Sequence, residues 1–152
     1  MKSHLSLFLV PVLLLPASAA AQDADLEAQA AEAHAQYAEF LSDGNVDGLL
    51  DLFSDDATLR PVSGGQYTGS AEIRQALEAQ PTPTEATIEG VHLERMNGVI
   101  VDIGTFSLTM PPEAGGEEMD GEYVAILADD ADGLSIQHLI SFPKRQPLPV
   151  DE

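Results

Sequence analysis

The sequence predicts an α+β domain, with helices gathered in its first half and an antiparallel sheet filling its second. Three observations carry this. Apolar residues recur at helical spacing between Asp25 and Ser42. Two long apolar-rich runs, Ala86–Met96 and Val99–Met110, flank Asn97-Gly98. Two more, Gly121–Ala128 and Leu134–Phe142, flank the cluster Asp129–Gly133.

Taken in order, the first helix is expected over about residues 25–42. Leu26, Ala30, Ala33, Tyr37 and Phe40 step by 4, 3, 4 and 3 and form one stripe, while Glu27, Glu32, Gln36 and Glu39 occupy the remaining surface. The stripe is rich in alanine, so the helix can lie close to what it covers. Gly44 suits the left-handed conformation that closes a helix. Asn45 then caps a short second helix whose buried side is Val46, Leu49, Leu50 and Phe53. A strand is expected over Ala57–Val62, a turn at Ser63–Gly65 and a returning strand at Gln66–Thr68. Ser70 is placed to cap a third helix through Ala79, with Ile73, Ala76 and Leu77 inward, and Pro81 and Pro83 stop it.

In the second half Asn97-Gly98 signals a type I′ hairpin, which sets the register. Met96 then opposes Val99, His92 opposes Ile103 and Leu93 opposes Asp102, and Arg95 lies diagonal to Asp102 within reach of an ion pair. Pro111–Asp120 reads as an acidic loop. No internal repeat is visible.

The chain's first 21 residues read as a cleaved signal peptide. Lys2 and His4 precede an apolar run from Leu5 to Leu15, and Ala19-Ala20-Ala21 fits a small-residue cleavage site with Gln22 as the new N-terminus. The run is too short to span ~30 Å of hydrocarbon. There is no cysteine, hence no lipidated anchor, disulfide or thiolate metal site. The expectation is a periplasmic or secreted protein, with one domain over residues 22–146 and a flexible tail at 147–152. The formal net charge of −20 opposes nucleic acid and anionic lipid surfaces as partners. Solubility in a salty exterior explains this charge more simply than a cationic partner does.

The stretch LSDGNVDGLLDLFSDDATLRPVSGG…YTGSAEIRQALE resembles the first half of SnoaL-like, ketosteroid-isomerase-like and DUF4440 domains of the NTF2-like superfamily. The strand Gly133–His138 is similar to that family's G-W-x-I-x-H, with Leu134 in the Trp place. The resemblance implies three N-terminal helices on a strongly bent antiparallel sheet, a cone with a pocket inside, and often a homodimer through the sheet's outer face.

Against the steroid-isomerase pattern, Tyr37 matches the helix Tyr of the oxyanion hole. Arg60 stands near the place of the catalytic base, and Tyr123 falls where the second acid belongs, so the catalytic carboxylates are missing. His138 shares a strand face with Leu134, Ile136, Ile140 and Phe142, which makes it the best candidate proton carrier, with Tyr37 orienting. The competing reading is a hydrogen-bonded core histidine. His34 is expected on the surface. Arg60 could receive a ligand carboxylate or pair with one of the chain's acids.

Asp43–Gly48 matches the start of a calcium loop, but Ser54 occupies the place of its bidentate Glu, and a C-cap followed by an N-cap explains the same residues. His92, His138 and Asp102 have no metal-ligand spacing. No phosphate cradle, Ser nucleophile elbow or Cys nucleophile is present, so neither a metal nor another cofactor is expected.

The expected function is binding of a small, largely apolar molecule in a cone lined by Tyr37, Phe40, Phe53, Tyr123 and His138, with Arg60 as a polar contact. One alternative is an isomerase, cyclase or hydrolase using His138 and Tyr37. The other is a dimeric interaction module with a filled core.

Overall fold

The computed structural model describes residues 19–131 and 133–144. The expected leader lies outside the described residues except at 19–21, and the expected tail lies wholly outside them. The element order is α1 (Ala19–Asp43), α2 (Val46–Asp51), β1 (Phe53–Arg60), β2 (Tyr67–Thr68), α3 (Gly69–Glu78), β3 (Glu85–Met96), β4 (Val99–Thr109), β5 (Glu118–Asp130) and β6 (Gly133–Pro143), with a short 3-10 turn at Pro112–Ala114. No described helix is long and apolar enough to cross a membrane.

The helical punctuation follows the sequence. Gly44, at φ +65, ends α1 in a Schellman arrangement: its N–H donates to the Leu41 carbonyl at 3.2 Å, and the Asn45 N–H donates to the Phe40 carbonyl at 2.8 Å. Asn45 then accepts from the Gly48 N–H at 2.9 Å and caps α2. The segment resembling a calcium loop is thus helix punctuation. Ser70 does not cap α3. The cap position is Thr68, whose N–H donates to Glu72 Oε2 at 2.8 Å.

The six strands form one open sheet in the order β2-β1-β6-β5-β4-β3. It is not wholly antiparallel, because β1 and β6 run parallel. After β1 and β2 the chain crosses through α3 to the far edge, and the meander β3 to β6 returns it beside β1 in the same direction. The hairpin register is the expected one: Met96 opposes Val99, His92 opposes Ile103 and Leu93 opposes Asp102, with Asn97 at φ +48 and Gly98 at φ +90. Arg95 does not reach Asp102. It pairs with Asp129 at 2.8 Å, and Asp102 lies deeper, in the core.

Two residues break the strand alternation. Val91 has no partner between the pairs Gly90–Gly104 and His92–Ile103, and Gln137 has none between Leu127–Ile136 and Ile126–His138. Such bulges bend a strand and shift its inward phase by one residue.

All three helices sit on one face of this sheet, α1 against β3 and α3 against β1. Ile73 of α3 and Ile100 of β4 are completely buried, a contribution of about 1.5–3 kcal/mol each. Leu26, Ala57, Leu59, Ala125 and Leu139 complete the centre of the core. Along α1, Ala20–Asp25 are exposed and Leu26 is buried.

Candidate functional site

Between α1 and the sheet lies a cavity of about 550 Å³. Its wall is mostly aliphatic, from Ala30, Leu59, Ala125, Leu127, Ile136 and Leu139 among others. The exposed lining residues Ser63, Gln80, Pro81, Thr82 and Met119 mark its mouth, at the β1–β2 turn, the α3–β3 linker and the start of β5. A space of this size is ordinary for a small-molecule site.

Three polar residues of the wall form one hydrogen-bonded cluster: His34 of α1, Asp102 of β4 and Tyr123 of β5. His34 Nε2–H donates to Asp102 Oδ2 at 2.6 Å. The Tyr123 hydroxyl donates to the same oxygen at 3.1 Å and lies 2.9 Å from His34 Nε2. The two rings meet edge-on, with centroids 6.0 Å apart. Asp102 is 2% exposed, and its other oxygen, Oδ1, is buried without a partner among the described residues. A buried carboxylate is tolerated when it is hydrogen-bonded, and His34 and Tyr123 both donate to Oδ2.

Two facing glycines make room for the cluster. A Cβ on Gly104 would come within 2.6 Å of the Tyr123 ring and hydroxyl, and one on Gly90 within 2.9 Å of His34 Cε1. These glycines oppose each other across β3 and β4, so Tyr123 lies over bare backbone and His34 rests beside it.

Both pocket phenols are held in their neutral form. Burial pushes the Tyr37 hydroxyl above its ordinary range, and burial followed by the nearby Asp102 charge does the same for Tyr123. Tyr37 lines the cavity, and its hydroxyl has no hydrogen-bond partner among the described residues. The site therefore offers one unengaged phenol, one phenol already engaged, and an imidazole held to a carboxylate. Such groups can bind a polar group on an otherwise apolar molecule, or move a proton on it.

Of the residues expected from the sequence, Tyr37 and Tyr123 line the cavity. The others do not. Phe53 is buried behind Tyr37, with ring centroids 6.3 Å apart. Phe40 is turned toward α2, where its ring limits the space at Gly48 to 3.0 Å. Arg60 is exposed, and its Nε–H donates to Gln66 Oε1 at 2.9 Å. His138 is exposed as well: past the bulge at Gln137 the inward residues of β6 are Leu139 and Ser141, which puts His138 on the outer face.

His34 and Asp102, which the sequence reading left out, form the polar centre instead. A signal for His34 exists, since Leu26, Ala30, His34, Tyr37 and Leu41 also step at helical spacing. The signal for Asp102 is its place in the inward phase Ile100, Asp102, Gly104, Phe106.

Comparison with known proteins places this arrangement. The sequence model described as a SnoaL-like domain matches residues 34–138. Among solved structures, a Mycobacterium tuberculosis protein of unknown function superposes with a TM-score of 0.71 at 16% identity, covering 85% of this chain and 78% of that one. A domain of unknown function with a cystatin-like fold from Nostoc punctiforme gives 0.65 at 18% identity, over 85% and 80%. An NTF2-like protein with a cystatin-like fold from Novosphingobium aromaticivorans gives 0.68 at 11%, over 86% and 89%. No curated protein sequence matches.

Proposed function

Because the chain belongs to the SnoaL-like domain family, with the NTF2-like fold, we propose that it binds a small, largely apolar molecule between α1 and the sheet, with the molecule's polar group turned toward Tyr37 and the His34–Asp102–Tyr123 cluster. One observation carries this reading: a mostly aliphatic cavity of about 550 Å³ with a hydrogen-bonded His34–Asp102–Tyr123 cluster in its wall. A core with no role beyond stability gains nothing from such a space, because unfilled volume forfeits packing. We also propose that the protein is exported, with cleavage before Gln22, and that it acts as a homodimer.

Native mass spectrometry of the protein purified from its own host tests these readings together. The expected result is a chain beginning at Gln22, carrying a co-purifying molecule that is released on denaturation. Ala125→Phe, which fills the cavity, should abolish that adduct while leaving the circular dichroism spectrum unchanged. A wild-type protein that is empty, and that also fails to bind neutral fluorescent apolar probes, would sink the ligand reading.

A second reading, acid–base catalysis on the same ligand, is favoured by the 2.6 Å contact between His34 and Asp102 at the cavity wall. It moves the proton-carrying role from His138 to His34. In that case His34→Gln abolishes turnover with little change in ligand affinity, and His138→Gln changes neither.

A further inference from the structure

The charge of the cavity wall selects the kind of molecule that enters. Among the described residues neither Lys nor Arg lines the cavity, and the charged groups that do are the carboxylates of Asp102 and Glu78. Glu78, on α3, is answered from outside by Arg74, whose Nη1 lies 3.6 Å away. Asp102 Oδ2 accepts from His34 and Tyr123, but its Oδ1 is a buried acceptor without a partner among the described residues. His34, the one group of the wall able to carry positive charge, has its Nε2 committed to Asp102 and Tyr123. An anion placed here would meet no lysine or arginine among the described residues, and it would add a second negative charge beside Asp102 in a medium of low dielectric.

The neutral polar groups of the wall suit a hydroxyl instead. A hydroxyl needs one donor and one acceptor. The Tyr37 hydroxyl, neutral and unpartnered among the described residues, supplies a donor. The Tyr123 oxygen, whose proton goes to Asp102, keeps acceptor capacity.

Resting on the cavity-binding reading above, we infer that the ligand is an uncharged alcohol or phenol with an apolar body, and that the matching carboxylate is excluded by the unanswered negative polarity around Asp102.

The test is a matched series with one apolar body: naphthylmethanol, naphthoate and naphthalene, titrated into the purified protein at neutral pH. The alcohol should bind at least tenfold tighter than the carboxylate and severalfold tighter than naphthalene. Asp102→Asn, which removes the negative charge and keeps the shape, should raise naphthoate affinity at least tenfold and leave naphthalene unchanged. Should that variant fail to fold, Tyr37→Phe provides the second arm, reducing the alcohol's affinity to that of naphthalene.

Carboxylate affinity within threefold of the alcohol overturns the inference while leaving a ligand-binding cavity in place. If none of the three binds, including naphthalene, the cavity reading itself fails and this inference falls with it.

Discussion

At the scale of single residues, the polar centre of the cavity wall is a histidine, an aspartate and a tyrosine that lie far apart in the chain and share one oxygen, Asp102 Oδ2. Its legibility in the sequence was uneven. Tyr37 and Tyr123 are legible as pocket residues through the resemblance to the steroid-isomerase pattern, which sets one at the helix Tyr and the other at the later-strand acid, and both line the cavity. His34 was missed because a stripe through Ala33 and Phe40 explains the helix nearly as well as one through His34 and Leu41. Asp102 was correctly paired with Leu93 but assigned to Arg95, since strand register does not reveal what a helix brings down onto the sheet.

The two phenols yield a pH prediction. The ordinary tyrosine pKa is about 10, and burial raises that of Tyr37 and Tyr123 in the folded protein. The folded state therefore keeps protons that the unfolded chain releases. This stabilisation is complete below pH about 10 and is lost as pH rises above it. In an alkaline titration at about pH 11, the absorbance of two tyrosinates should be missing from the folded protein and should appear together with loss of the circular dichroism signal. Early ionisation of all three tyrosines with the fold intact would contradict the burial described for Tyr37 and Tyr123.

At the scale of elements, the caps and turns were legible and the bulges were not. Gly44, Asn45 and Asn97-Gly98 carry their conformations in their own side chains or in the lack of one, so the sequence states them locally. The bulge at Gln137 depends on how β6 fits between β1 and β5, and no residue type announces it. Its effect is large: inward positions before it are Leu134 and Ile136, those after it are Leu139 and Ser141, and His138 moves from the expected inner face to the outer one.

Gly104 offers an element-scale test of the site. A methyl group there would strike the Tyr123 ring at 2.6 Å and the Glu89 carbonyl more closely still. Neither the β3–β4 ladder nor the tyrosine can retreat without cost. Gly104→Ala is therefore expected to destabilise the protein by about 2 kcal/mol, within the usual range for overpacking, with a lower urea midpoint and weaker ligand binding. A Gly104→Ala protein as stable as the parent would mean that Tyr123 does not lie across β4.

At the scale of the whole molecule, the inner face of the sheet is committed to the helices and the cavity, which leaves the outer face to account for. Ile103, Val124 and Ile140 form one apolar row across β4, β5 and β6, with Val101 and Ile126 in the next row. Ile103 is 36% exposed and Phe142, on the same face of β6, is 44% exposed. An apolar sheet face of this kind is the surface on which a second copy of the chain would close the homodimer proposed above.

The opposing force is electrostatic, because each chain carries a formal net charge of −20. Repulsion between exposed charges is screened over about 10 Å at 0.1 M salt and reaches about 30 Å at 0.01 M. If burial of the outer face drives association, the dimer should tighten as salt is raised from 0.01 M to 0.1 M. A dimer held by surface ion pairs would weaken instead. Light scattering with size-exclusion chromatography at the two salt concentrations reads this sign directly. Val124→Lys, placed in the centre of the apolar row, should weaken the dimer by at least tenfold, or about 1.4 kcal/mol, at both salt concentrations, because it buries a charge without a partner. A wild-type protein that stays monomeric at high salt would return the outer face to solvent and leave the cavity as the site that defines this chain.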